Sequence, residues 1–371
     1  MSLAGKATEE GTRRYREARD WPANHFRQAQ GLWGSSLGIG TYLGPPDAAT
    51  DRQVEGAVAA AVRGGINLID SAINYRRERG ERSVGNALRQ LVDAGEARRD
   101  ELILCTKGGF LPQSLGPDWF RARFGGGRVE GMTEEDLVGG CHCLHPAFLE
   151  DQLERSLQNL QVETVDIYYL HNPETQLGRV APDLFESRIA AAFEFLEEAA
   201  AAGSIRYYGL ATWSGLRLPP GHPQHLPLER MKHLARKAAS GREDHLRFVQ
   251  LPFNLLMPEA LVQPTQRVAG ETVPVLSAAR RLGVDCVFSG SLAQGKAESA
   301  LNSRLRSLID GNLSSDSQRA LQFARSAPGG FSALVGMKRP AHVRENLALC
   351  RQAPLPPEAY RSLLPALRVA E

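Results

Sequence analysis

The sequence predicts an α/β fold of the (β/α)8 or TIM-barrel class, a single domain with long loops at the C-terminal face. Two observations predict it. From about residue 36 onward, eight short apolar runs alternate with amphipathic helical stretches. Such alternation means parallel strands joined by helical crossovers, and eight is the number that closes a barrel. Polar side chains also end three consecutive runs: Asp70, Lys107 and His171. A barrel gathers its reactive groups at those strand ends. A doubly wound open sheet is the competing architecture. The stretch "GIGTYLG" (38–44) resembles G-x-G-x-x-G without matching it, and Asp70, the nearby acidic strand end, has a different setting.

In chain order, residues 1–30 are polar and read as a loose or surface-wrapped extension, with the barrel spanning 31–371. The candidate strands are "LGIGTY" (37–42), "INLID" (66–70), "LILCTK" (102–107), "VDIYYL" (165–170), "IRYYGLAT" (205–212), "LRFVQL" (246–251), "VDCVFS" (284–289) and "SALVG" (332–336). The first helix, "DRQVEGAVAAAVRGG", opens on an Asp cap and stops at Gly; "ESRIAAAFEFLEEAAAAGS", "LPLERMKHLARKAASG" and "VPVLSAARRLG" also stop at Gly. Three connections, 108–146, 213–226 and 252–272, exceed ordinary loop length, a frequent mark of function.

Composition narrows the class. The 371 residues are 42% hydrophobic and 23% charged, with a net charge of +2. That balance suggests neither nucleic acid nor a membrane surface as partner. The opening stretch is charged throughout, and no apolar run reaches about 18 residues, so neither a secretory leader nor a membrane span is expected. Five cysteines form no disulfide framework, which predicts a reducing, cytoplasmic setting. Only six of the 44 basic side chains are lysine, so a lysine ending an apolar strand stands out.

An aspartate at the end of a buried strand is costly unless something pairs with it. Tyr75 follows Asp70 by five residues. A phenol is a poor acid or base at neutral pH, because its ordinary pKa is about 10. A cation about 4 Å away, at an effective dielectric near 20, is worth roughly 4 kcal/mol and favours the phenolate. Lys107 can supply that cation, and Asp70 can keep it charged. His171 adds a group able to orient a carbonyl or share a proton. Singly, each residue has an ordinary structural explanation, as a cap, a packing ring or a solvated amine. Their joint placement at one rim points to chemistry.

These residues resemble the motifs of the aldo-keto reductases. Asp70-Ser-Ala72-Ile-Asn-Tyr75, "ILCTK" with Lys107, and "DIYYLHNPE" with His171 match the family's pattern, and the likeness runs from about residue 36 to 351. The resemblance implies carbonyl reduction with NADP(H), with Tyr75 protonating the oxygen. It further implies that Thr41 and Tyr42 lie beside the nicotinamide and that Gln250 binds its carboxamide. Ala211-Thr212 stands where Ser-Asn is usual, so one expected contact is missing. Phe288 or a neighbour is expected to stack on the nicotinamide. Ser289 and Ser291 would face the phosphates, beside Leu292. Gly336, Lys338, Arg339, His342 and Asn346 would hold the adenosine end and its 2′-phosphate. The loop after Tyr75 is about two residues longer than the family's, and Gly80-Glu81 replaces Ser-Glu.

Phe110, Trp119 and Trp213 are candidate walls for the substrate, with Phe120 and Phe124 nearby. Two other motifs carry less. "GSLAQGKA" (290–297) nearly spells a phosphate-binding loop, but Ala297 stands where a metal-binding hydroxyl belongs. "CHCLHP" (141–146) is too tightly spaced for a zinc site, so no metal is expected. The expected partner is thus a small carbonyl compound or alcohol. A regulatory NADPH-binding subunit of the same fold and a metal-dependent barrel hydrolase are the rivals.

Overall fold

The computed structural model describes residues 2–309 and 311–367; the ends of both predicted segments, Met1 and 368–371, lie outside the described residues. An antiparallel hairpin comes first, β1 (Phe26–Ala29) and β2 (Leu32–Ser35). Next are β3 (Leu37–Gly40), β4 (Leu68–Asp70), β5 (Ile103–Gly108), β6 (Val165–His171), β7 (Ile205–Ala211) and β8 (Leu246–Pro252). A second hairpin follows, β9 (Pro264–Val268) and β10 (Glu271–Pro274), and then β11 (Asp285–Ser289) and β12 (Gly330–Val335). Strands β3 to β8, β11 and β12 close in that order into one parallel barrel, β12 pairing back onto β3. All eight predicted runs are in it, their ends shifted by one or two residues.

Two apolar layers follow from the alternation of side chains along each strand. The barrel interior holds Leu68, Ile103, Cys105, Ile167, Tyr169 and Phe248. A larger outer layer packs the strands on the helices, for example Ile69, Leu104, Leu170 and Val249 against Val58, Leu88, Leu153 and Phe193. The first crossover helix, Ala48–Arg63, is capped by Asp47, whose side chain accepts from the Thr50 amide at 2.8 Å; the cap lies four residues before the Asp51 expected from the sequence.

Residues 2–30 are structured. The helix Glu9–Glu17 has Thr8 as its cap, acidic residues in its first turn and basic ones in its last, as its dipole favours. The Ala7 amide donates to buried Asp166 at 2.7 Å, and Arg14 pairs with Asp100 at 2.7 Å and Glu101 at 2.9 Å. The β1–β2 hairpin brings Ala29 and Leu32 onto the interior cluster at the N-terminal end of the barrel. A Cβ at Gly34 would lie 2.3 Å from the Phe331 ring, so this contact requires glycine.

The long connection 108–146 builds a satellite core of Leu111, Phe120, Phe124, Met132 and Cys143, joined by Phe148 of the next helix, around the helix Pro117–Phe124. All five cysteines are free. Among the described residues no helix is long and apolar enough to cross a membrane.

Candidate active site

Strands β4, β5, β6 and β8 deliver the central residues. Asp70 is the last residue of β4, Lys107 the penultimate one of β5, His171 the last of β6, and Gln250 lies near the end of β8. Lys107 Nζ donates to Asp70 Oδ2 at 2.6 Å and to the Ser71 carbonyl at 2.7 Å. Gln250 Nε2 donates to the other carboxylate oxygen, Oδ1, at 2.7 Å. Asp70 and Lys107 are 3% and 1% exposed, so the ion pair is fully desolvated. An ammonium has three donors. Two are used here, which leaves one on the Tyr75 side, where the ring centroid lies 4.8 Å from Nζ. Tyr75 meets Tyr42 edge to face at 5.0 Å and His171 at 5.9 Å.

Burial opposes the charge on Lys107, but the Asp70 carboxylate and Tyr75 outweigh it and hold the amine above its ordinary value. Burial raises the Asp70 carboxyl, while Lys107 and Gln250 pull it back. Burial likewise pushes the Tyr75 phenol above its ordinary value, with the Lys107 charge acting against the rise. The net direction differs from the lowering expected from the cation alone, because desolvation of the phenolate is the larger effect. Burial, then Lys107, keeps the His171 ring well below its ordinary value and therefore neutral at pH 7.

The loop after Tyr75 is built to hold that ring. Arg76, Arg77 and Glu78 all have left-handed backbone, at φ of 51°, 57° and 69°. Each such non-glycine residue costs about 1–2 kcal/mol. The turn persists because it is anchored: Arg76 pairs with Asp51 and donates to the Pro45 carbonyl at 3.3 Å, and Glu78 pairs with Arg155. Gly80 fits because a Cβ there would sit 3.1 Å from both Tyr75 Cβ and Ser71 Oγ, closer than most neighbours tolerate. Glu81 is buried and accepts from Thr106 at 2.5 Å and Asn159 at 2.9 Å.

The predicted cofactor residues divide. Thr41 is spent on structure, donating to Ser71 Oγ at 2.9 Å, and Ala211 belongs to the interior cluster. Gln250 serves Asp70 through its amide nitrogen. Tyr42 is exposed beside Tyr75. Thr212 Oγ1 and Ser291 Oγ are buried hydroxyls without a partner, as is His171 Nδ1. Ser289, at the end of β11, and Leu292, on the loop beside Ser291, are half-buried. On the β12 side, Gly336 is open and Lys338 lies against Gly44, its Nζ 3.0 Å from where a Cβ there would be. Neither Lys338 nor Arg339 has an ion-pair partner among the described residues. The helix Pro340–Cys350 starts with Pro and no side-chain cap; its first turn exposes His342, and Asn346 is buried one turn on. Buried groups without partners, a bare helix N-terminus and unpaired cations fit a phosphate-bearing dinucleotide.

Phe288 does not join them. It is fully buried in the outer layer, its ring 4.6 Å from Phe253, while Val287 is the residue of β11 that faces the interior. Of the candidate walls, Phe110 is in place, edge-on to His171 at 5.1 Å. Trp213 is 53% exposed on the loop after β7. Trp119 packs on Phe124 at 5.6 Å under the Arg155 guanidinium instead, and Phe120 and Phe124 are buried in the satellite core. Loop folding consumes these three rings.

Two residues escaped the sequence reading. Glu174 Oε1 accepts from the amides of Trp213, Ser214 and Gly215 at 2.7, 3.1 and 3.3 Å and so sets the Trp213 loop. His142 donates from Nε2 to the His171 carbonyl at 2.8 Å. A hint of the first lay in "HNPE", directly after His171. The second lay inside "CHCLHP". Its other members turn to local backbone: Cys143 Sγ accepts from the His145 amide, and His145 Nδ1 accepts from the Ala147 amide as a helix cap. The "GSLAQGKA" stretch forms short turns, with Ala293 and Gln294 left-handed, rather than a loop opening a long helix.

Residues 36–364 match the model of the Aldo/keto reductase family. Among curated relatives, aldo-keto reductase family 4 member C11 of Arabidopsis thaliana is 27% identical over 187 residues, 49% of this chain and 47% of that protein. Human aldo-keto reductase family 1 member C4 is 28% identical over 189 residues, 48% of this chain and 47% of that protein. The chain spans about half the length of these relatives in the alignments. The fold is shared with an aldo-keto reductase of Bacillus halodurans in its holo form (TM-score 0.63, 20% identity, 93% of this chain and 97% of that one). It is also shared with an aldo/keto reductase of Klebsiella pneumoniae solved with NADP and acetate (TM-score 0.61, 20% identity, 92% and 94%).

Proposed function

Because the chain belongs to the aldo/keto reductase family, we propose that it is an NADP(H)-dependent oxidoreductase that interconverts an aldehyde or ketone with its alcohol. One observation carries the reading: the buried Lys107 ammonium, held by Asp70 at 2.6 Å, lies against Tyr75 at the C-terminal mouth of the barrel. When bound, the cofactor supplies a hydride for the carbonyl carbon. The Tyr75 hydroxyl donates the proton that the carbonyl oxygen needs. Burial keeps that phenol protonated at neutral pH, as reduction demands. Lys107 stabilises the phenolate left behind, and Asp70 with Gln250 keeps the ammonium charged and in place. Neutral His171 orients the oxygen beside Tyr75. Alcohol oxidation uses the same groups in reverse.

The bare helix start at Pro340 and the unpaired Lys338 and Arg339 support a 2′-phosphate and hence NADPH over NADH. Substrate size is suggested by the rim. Among the described residues, four of the five exposed large hydrophobic side chains, Tyr42, Leu43, Trp213 and Leu256, sit on loops after β3, β7 and β8. They favour a bulky apolar carbonyl compound. A carbonyl panel followed by NADPH absorbance tests the reading: turnover that Tyr75→Phe abolishes supports it, and no turnover of any carbonyl or alcohol contradicts it.

A further inference from the structure

We infer that His142 is a positioning residue for His171, and that through it the long 108–146 loop and the reacting centre form one rigid unit. The inference rests on the reading of His171 as the group that orients the substrate.

His171 is the last residue of β6, and its ring is held by edge-on contacts with Phe110 and Tyr75 rather than by a bond at Nδ1, which is buried without a partner. Its direction therefore depends largely on how its backbone is held. Beyond it the chain leaves the ladder at Asn172, which is left-handed at φ 47° and donates its amide to the Ala211 carbonyl at 2.6 Å. The His171 carbonyl then receives its hydrogen bond from a side chain, His142 Nε2, at 2.8 Å.

The imidazole of His142 is fully buried and held at both nitrogens. A carbonyl only accepts, so Nε2 carries the hydrogen, and Nδ1 accepts from Gln176 Nε2 at 3.2 Å. One tautomer satisfies both bonds. Gln176 Oε1 in turn accepts from Arg188 Nη1 at 3.1 Å, and Arg188 pairs with Asp136 at 2.6 Å. A continuous chain thus runs from a salt bridge on the loop to the strand-end carbonyl. The loop backbone fixes the ring from below. Val138 and His142 exchange amide-to-carbonyl bonds at 2.8 and 3.1 Å, and Cys143 donates to the Gly109 carbonyl at 2.9 Å. Phe110 packs edge-on to His142 at 4.9 Å and to His171 at 5.1 Å. Gly109 permits this approach: its φ is +124°, and a Cβ there would lie 3.0 Å from His142 Nε2. A structural histidine anywhere in the loop could stabilise it. This one bonds to the residue carrying the orienting ring.

The test uses the full chain and the variants His142→Leu, His142→Gln, Gln176→Leu and His171→Ala. The readouts are kcat with a carbonyl substrate and NADPH affinity by fluorescence. Glutamine can place an N–H where Nε2 was; leucine cannot. His142→Leu is expected to lower kcat about tenfold with NADPH affinity unchanged, and His142→Gln to keep kcat within about twofold. Gln176→Leu, which leaves the imidazole in place but frees its tautomer, should lower kcat about threefold and covers the case in which His142→Leu fails to fold. Wild-type kcat in both leucine variants, or an equal fall in His142→Leu and His142→Gln, overturns the inference. If His171→Ala loses activity while the leucine variants do not, only this inference falls. If His171→Ala retains full kcat, the orienting role of His171 fails and this inference with it.

Discussion

The two halves of the barrel mouth are finished to different degrees. On the β4–β5–β8 side nearly every polar atom is spoken for: both oxygens of Asp70 and two donors of Lys107 are bonded within 2.7 Å. On the other side Thr212 and Ser291 have buried hydroxyls with no partner, and Lys338 and Arg339 have no counter-ion among the described residues. The first half needs nothing to be complete. The second is completed by something that brings acceptors and negative charge. Proton-transfer groups profit from being fixed before the substrate arrives, whereas a cofactor site keeps its polar groups free for the ligand. Mutations in the two halves should therefore fail differently.

The largest effect belongs to the finished half. Tyr75→Phe should lower kcat by about 10³-fold or more with NADPH affinity within about twofold, read by steady-state kinetics and fluorescence titration. Asp70→Asn should act on the fold as well, since it leaves a buried ammonium without its counter-charge. A loss of about 3–5 kcal/mol in denaturant unfolding is expected. The double change Lys338→Ala with Arg339→Ala should do the reverse. It should weaken NADPH by about 10–100-fold, leave NADH nearly unaffected, and spare kcat at saturation. Equal weakening of both cofactors would place the 2′-phosphate elsewhere. A last effect is pH-dependent. Burial depresses His25 and His142 to about 4 and keeps His171 well below the ordinary 6.5. Between 6.5 and those values the unfolded chain takes up protons that the folded chain refuses. Stability should fall as pH drops from about 6.5 to 4, by roughly 2 kcal/mol each for His25 and His142 at pH 5, and His142→Gln should flatten the slope.

The finished half was legible in the sequence because each member ends an apolar run, and β-strand polarity puts strand ends at one mouth. Gln250 was placed on the right strand, but its bond to Asp70 was not foreseen. Its bond to Asp70 joins residues 180 apart in sequence, across the barrel. Phe288 failed for a general reason. Strands of a parallel barrel are apolar on both faces, so alternation does not tell inside from outside, and the register put Val287 inward. Trp119 looked available because nothing in "DWFRARF" announces the satellite core that absorbs it. His142 lay in a stretch weighed only for metal. Its role exists only once the loop folds back onto β6.

The central claim is that the Lys107 charge acts on the Tyr75 phenol inside a desolvated site. Ultraviolet difference titration of tyrosine ionisation, with Tyr75→Phe as the blank, tests it without cofactor or substrate. The wild-type phenol is expected to ionise above its ordinary value of 10, and in Lys107→Met higher still, because the Lys107 charge that pulls it down has been removed. An unchanged or lower ionisation in Lys107→Met would contradict the account.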